Sequence, residues 1–313
     1  MNRILSFLLT VCLCTLNAYS QKKMKIEIQK ISNIEDFPSG SGLGANGEKL
    51  YAIGDDSPFL YVINSDFQVE NRILLLEASS EDFKGNRIKK KMKPDFETLE
   101  MISENELVIF GSGSKSPRRD VFVRVLLNEI LDVESYSITE FYEHLKSFPL
   151  LEDIELNLEA SAFSDGFLYL FNRTNNIILK FDYQEFISYL KTGNLPKIEI
   201  NQVTLPQIEG VEAGFSGATF SEKSRILFTA SVEATDDAYN DGEIIGSLVG
   251  IIDISDFQKA KVIRYNFIPS EKQPIKVESV AILPSKSGRN TEVVFITDDD
   301  NGNTKLIKAV LKM

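Results

Sequence analysis

Five residues recur at even intervals along the chain and offer only oxygen donors: Ser41, Glu97, Glu159, Ser216 and Glu278, spaced 56, 62, 57 and 62 residues apart. Each stands at the start of a short run of small and apolar residues, as in GSGL, FETLEM, EASAF, FSGATF and VESVAI. If the five converge, three carboxylates and two hydroxyls meet in one place. Carboxylates packed so closely repel one another, and some must take up protons. A hard divalent cation removes the conflict. Ca²⁺, which accepts about six to eight oxygen ligands, suits a donor set without nitrogen or sulfur, and Mg²⁺ with its tighter octahedron suits it less. The expected cofactor is Ca²⁺, with these five residues as its ligands.

Convergence needs a scaffold that repeats, and the chain repeats five times. After each of the five runs comes a turn, a β-rich strand such as 50–53 or 107–110, and a returning strand such as 60–63. Alternating apolar residues and turn residues mark these as hairpin-linked strands. A fourth strand is predicted at 69–75, 133–138, 199–205 and 261–268, but the fifth unit reaches the C-terminus without one. The N-terminal run KIEIQKI, 25–31, is predicted to supply it and so to close the ring, leaving no exposed sheet edge. The fold class is therefore all-β: a five-bladed β-propeller of four-stranded antiparallel blades, its inner strands starting near 41, 97, 159, 216 and 278 and lining a central channel. The stretches ITEFYEHLKSFPLL and DYQEFISYLKTG are expected to be helical insertions in connecting loops.

Composition narrows the function. Residues 1–20 have a basic start at Arg3, an apolar run over 4–16 and a small-residue exit through Ala18 and Ser20, the pattern of a signal peptide. Residues 21–313 are then one exported domain, secreted or periplasmic. Both cysteines, Cys12 and Cys14, fall in the signal segment, which excludes disulfides, thiolate chemistry and zinc–sulfur sites from the mature chain. No later stretch supplies the roughly 20 apolar residues of a membrane span. A net charge of −12 argues against nucleic acid and anionic membranes as partners. The single histidine, His144, sits in an amphipathic helical segment without convergent partners, so chemistry resting on histidine is not expected. A monomer is expected.

Blade by blade, the chain resembles the calcium-activated nucleotidases, or apyrases, and more distantly the secreted phytase-like and esterase-like propellers. GSGL at Ser41 is similar to the apyrase Ser-Glu-Leu segment, FETLEM at Glu97 to Glu-Trp-Leu, and EASAFS at Glu159 to Glu-Ser-Ala. GFSGATF at Ser216 resembles Gly-Phe-Ser-Ser, and VESVAI at Glu278 resembles Glu-Gly-Ile. LYAIGDDSPFLYVI resembles a Leu-Tyr-Ser-Val-Asp-Asp strand and turn, which puts Asp55 and Asp56 near the channel mouth. The resemblance implies a secreted propeller with an axial Ca²⁺ and hydrolysis of nucleotides, the ion polarising a phosphoryl oxygen while a carboxylate orients water. Asp55, Asp56 and Arg173 are the catalytic candidates. Lys115, Arg118, Arg119 and Arg173 are the candidates for binding substrate phosphates. The chain departs from that pattern in having no tryptophan, with Thr98 after Glu97, and in a short N-terminal extension.

Three functions stay open at this point: a Ca²⁺-dependent hydrolase of nucleotides or other phosphate esters, a non-catalytic propeller that binds glycan or protein around a structural Ca²⁺, and a glycoside hydrolase using the glutamates. DDDNGN, Asp298 to Asn303, offers closely spaced oxygens, but Asn301-Gly302 between two apolar runs reads as a hairpin turn. Asp236, Asp237 and Asp241 invite the same comparison.

Overall fold

A computed structural model describes residues 24–234, 243–270, 273–284, 290–299 and 302–313. The signal-peptide segment, Asp236, Asp237, Asp241 and Asn301 lie outside the described residues.

Five four-stranded antiparallel sheets form the molecule. Their inner strands are Gly40–Asn46, Phe96–Ser103, Leu158–Ser164, Gly214–Glu222 and Lys276–Ile282, in blades 1 to 5. Each inner strand abuts the next, and the fifth abuts the first, so the ring is closed around one axis. The closing strand is Lys25–Ile34, which pairs antiparallel with the C-terminal strand Thr304–Lys312 through Lys25 to Lys312 and Ile34 to Thr304. The outer strands of the other blades, Val69–Leu74, Leu131–Ser137, Ile198–Gln202 and Lys261–Phe267, fall within one or two residues of their expected starts.

The second strands show why this sequence makes blades. In ELVIFG of blade 2 the apolar run is continuous because the strand is covered on both faces. With a period of two, Leu107 and Ile109 pack toward blade 1 while Val108 and Phe110 pack toward blade 3. One apolar core fills each of the five blade interfaces in this way.

The interface between blades 2 and 3 is the richest in buried aromatic side chains, because both helical insertions pack into it. Helix α1, Thr139–Lys146, contributes Phe141, Tyr142 and Leu145, and α2, Tyr183–Thr192, contributes Tyr183, Phe186 and Tyr189. Phe186 stands 5.0 Å from both Phe122 and Phe141 in edge-on contacts. Tyr142 donates its buried hydroxyl to the Gly111 carbonyl at 2.6 Å, tying α1 to the strand end that carries the site. Tyr142→Phe is expected to cost about 1–1.5 kcal/mol in urea unfolding, since the Gly111 carbonyl loses its partner in a dry place. A cost near zero would mean that water replaces the hydroxyl. Among the described residues no helix is long and apolar enough to cross a membrane.

Candidate functional site

The recurring polar residue owes its direction to a repeated backbone irregularity. In each blade the ladder between the inner and second strands skips one residue near the start of the inner strand: Ser41, Glu97, Glu159, Ser216 or Glu278; blades 2 and 4 also skip one near its far end, at Ile102 and Ser221. A β-bulge leaves its extra residue out of the ladder and re-aims its side chain. The five bulges near the strand starts fall on the same position of the repeat.

Four of the five line an axial cavity of about 740 Å³ at the end of the ring where inner strands begin: Ser41, Glu97, Glu159 and Glu278. Ser216 does not reach it; the residue is fully buried and its hydroxyl donates to Thr229 Oγ1 at 3.2 Å. The Ser41 hydroxyl is likewise engaged, donating to the Phe96 carbonyl. The polar character of the cavity therefore comes from carboxylates and from cations that surround them.

On the side of blades 1 and 2, Lys93 bridges Asp55 and Asp95, lying 2.6 Å from the latter. Arg119 also pairs with Asp95, which accepts hydrogen bonds from the hydroxyls of Ser112 and Ser114. Gly111 makes this possible: a Cβ there would stand 2.4 Å from the Arg119 carbonyl, so only glycine lets the loop that carries Arg119 fold back against the strand. Asp56 pairs with Arg87 and accepts from Ser39 at 3.2 Å. Four carboxylates, counting Glu97, thus face three cations. Asp55, Asp95 and Glu97 present oxygens within 4.8 Å of one another, a buried acidic triad that could hold a metal ion. Asp55 Oδ1 and Asp56 Oδ1 are buried without a hydrogen-bond partner. Oxygen-only donors with orphaned buried oxygens among them fit a hard cation.

The ionisation equilibria follow the packing. Burial opposes charge on Asp95, but Lys93 and Arg119 outweigh it and hold its carboxyl below the usual range. Glu97 is pushed well above that range by burial and by the charges of Glu159, Asp95 and Asp55. Asp56 is raised by burial and by Asp55.

Across the cavity, on blades 3 to 5, Arg173 pairs with Glu233 at 2.9 Å, and Lys276 lies 3.4 Å from Glu233 and 3.1 Å from Glu278. Asn157 donates to Glu159 at 2.7 Å. Three carboxylates here face two cations. Burial pushes Glu159 up to about 8, against the pull of Arg173 and Lys276. Burial raises Glu278 as well.

Of the candidate residues, Asp55, Asp56, Arg119 and Arg173 line the cavity, whereas Lys115 and Arg118 are exposed and do not. Lys93, Asp95, Glu233, Lys276 and Arg87 are additional site residues that the repeat alone did not single out. A signal for some of them exists: the residues two places before the ring position, Ser39, Asp95, Asn157, Gly214 and Lys276, all line the cavity. His144 is half-buried on α1 against Phe148, away from the cavity. In the DDDNGN segment Asp298 lines the cavity, while Asp299 accepts hydrogen bonds from Asn303 through both its backbone and side-chain nitrogens, at 2.9 and 2.8 Å.

The fold and site define a five-bladed β-propeller with a charged axial cavity. Over residues 36–311 the chain matches, and belongs to, a family of unknown function, DUF6929. None of the curated proteins matches it in sequence. Among solved structures it is similar to the glutaminyl cyclase of Myxococcus xanthus, with 10% identity and a TM-score of 0.53 over 93% of this chain and 97% of the other. It is also similar to the major Malassezia sympodialis allergen Mala s 1, with 12% identity and a TM-score of 0.52 over 90% and 96%. At such identities the likeness shows the fold alone.

Proposed function

We propose that this chain is a secreted, Ca²⁺-dependent hydrolase of phosphate esters, nucleotides among them, working in the axial cavity. The observation that carries the reading is the placement of an oxygen-only triad, Asp55, Asp95 and Glu97, in one cavity with Arg119 and Arg173. Cation and anion sites side by side are what phosphoryl transfer requires, because its catalysis is mostly positioning and charge neutralisation. Bound Ca²⁺ would supply Lewis-acid polarisation of a phosphoryl oxygen. Asp55, Asp95 and Glu97 would hold it, with Lys93 giving up part of its contact to Asp55 and turning its ammonium toward the substrate. Arg173 would bind a phosphate oxygen, and Asp56, whose Oδ1 has no partner, would orient the attacking water. A secreted protein meets calcium at concentrations that suit extracellular sites, with Kd on the order of 10⁻⁴–10⁻³ M.

Phosphate release from a panel of nucleotides and sugar phosphates is expected with Ca²⁺ and not with chelator; no release in either condition rejects the hydrolase. The ion site has its own readout. At about 100 times its Kd, Ca²⁺ should stabilise the protein by about 2.7 kcal/mol. Asp55→Asn should remove most of that gain, and an undiminished gain would place the ion elsewhere. One observation favours a second reading, a non-catalytic binder of glycan or protein pinned by the ion: Asp95 and Glu233 each already contact two cations. Stabilisation by Ca²⁺ without phosphate release is its signature.

A further inference from the structure

Beside the axial cavity lies a second one of about 280 Å³, lined by Lys90, Lys91, Lys93, Lys115, Arg118 and Arg119. All six are cations, in a chain whose acidic residues outnumber its basic ones by twelve. Lys93 and Arg119 line both cavities, so the two share a wall. Two acids stand at the margin, beside the outer cations. Glu155 is 3.8 Å from Lys115, and Asp82 is held ionised by hydrogen bonds from Ser79 and, less strongly, by the charge of Arg118.

Six cations brought together repel, and on a flexible segment they would spread into water. Here the backbone beneath them is tied down. Lys89 N donates to the Asp82 carbonyl at 2.8 Å, and Met92 N and Lys93 N both return to the Lys89 carbonyl. On the facing loop Arg119 N donates to the Lys115 carbonyl at 3.1 Å, and Ser116 Oγ donates to Asp120. The two inner cations pair with Asp55 and Asp95, and the outer four residues are exposed. A preformed cationic pocket of this kind is relieved by an anion that several donors can hold at once.

We propose that the side pocket is a second anion subsite, and that the ligand of this propeller carries at least two linked anionic groups, one in the axial cavity and one among Lys90, Lys91, Lys115 and Arg118. The inference extends the hydrolase reading but does not need turnover. It predicts selection by anion number: a singly anionic ester fills only the axial part, whereas a linked polyanion gains the charge-assisted contacts of the outer four cations.

The test is calorimetric, in chelator, with inorganic orthophosphate and tripolyphosphate as probes. The wild-type protein should bind tripolyphosphate at least tenfold more tightly, roughly the worth of one charge-assisted hydrogen bond. Lys115→Ser combined with Arg118→Ser should abolish that preference, and because both side chains are exposed the melting temperature should not move. Lys223→Ser combined with Lys259→Ser removes the same charge from side chains 84% and 81% exposed and should leave the preference intact. The subsite is refuted if the wild type shows no preference, or if both double variants lose it equally. Tight tripolyphosphate binding without phosphate release under Ca²⁺ would reject the hydrolase and keep the subsite.

Discussion

Asp95→Asn is expected to destabilise the fold by about 3–5 kcal/mol, the cost of removing one member of a buried ion pair and leaving its partners uncompensated. Asp95 is 3% exposed and compensates both Lys93 and Arg119. Once that charge is gone, Lys93 keeps Asp55 while Arg119 loses its carboxylate partner. The melting temperature should fall by on the order of 10 °C. Lys93→Met added to Asp95→Asn should restore part of the loss, because it removes one of the two cations that Asp95 compensates, so the two effects will not add. The pH dependence has a definite sign. The folded carboxyl titrates below its unfolded value, so its contribution is present above the ordinary aspartate range and disappears as pH falls through the lower, folded value. The gap between variant and wild type should thus be undiminished from pH 7 to 5 and close only in stronger acid. A cost under 1 kcal/mol at pH 7 would show that the cations find other partners or reach water.

The parts of this structure that were legible in the sequence are those that each blade carries by itself. Strand runs such as LVIF, the closing KIEIQKI segment and the two amphipathic helical stretches all have a local period and local stop signals. The ring positions were legible because one residue per repeat can be aligned without knowing the structure. The bulge that aims them leaves no mark in a single blade; only its recurrence beside small residues hints at it. The counter-ions were hidden for a physical reason. Lys93 ends the run IKKKMK, which reads as a solvated face, and nothing in its type separates it from Lys89, Lys90 and Lys91. What separates it is the turn that brings Lys93 N back to the Lys89 carbonyl, and the hydrogen bond from Asp95 N to the Asp55 carbonyl, which joins two blades. Lys276 and Glu233 likewise meet only because blades 4 and 5 are adjacent. Pairings across blade boundaries depend on the packing of whole sheets, so spacing along the chain does not report them. The helices show the same limit: their apolar stripes predict burial, but not that both stripes enter one interface.

Glu159 provides a measurement that bears on the ion itself. Its carboxyl is pushed up to about 8 by burial, from an unfolded value of 4.5, with Glu278 and Glu233 adding to the burden and Arg173 and Lys276 relieving it. Between those two pH values the folded protein holds a proton that the unfolded chain has released. The contribution is therefore complete below about pH 4.5 and is lost as pH rises toward 8. Glu97 and Glu278 shift in the same direction and steepen the loss. In chelator, urea unfolding of the wild type should show stability falling by on the order of a few kcal/mol from pH 5.5 to 8.5, at about 1.4 kcal/mol per pKa unit. Glu159→Gln keeps the shape of the protonated side chain, so it should be nearly neutral at pH 5.5 and stabilising at pH 8.5; equal destabilisation at both would mean that the carboxylate is the form the fold prefers. Repeating the series in Ca²⁺ locates the cation. If it sits on the axis with Glu159 as a ligand, the bound charge pulls that carboxyl down and the pH loss vanishes, while Glu159→Gln weakens the response to Ca²⁺. If it sits at Asp55, Asp95 and Glu97, Glu159 keeps most of its shift, the loss persists in Ca²⁺, and only Glu97 stops contributing to it. The slope in calcium thus separates an axial five-residue site from an off-axis triad, whether or not the protein turns over a substrate.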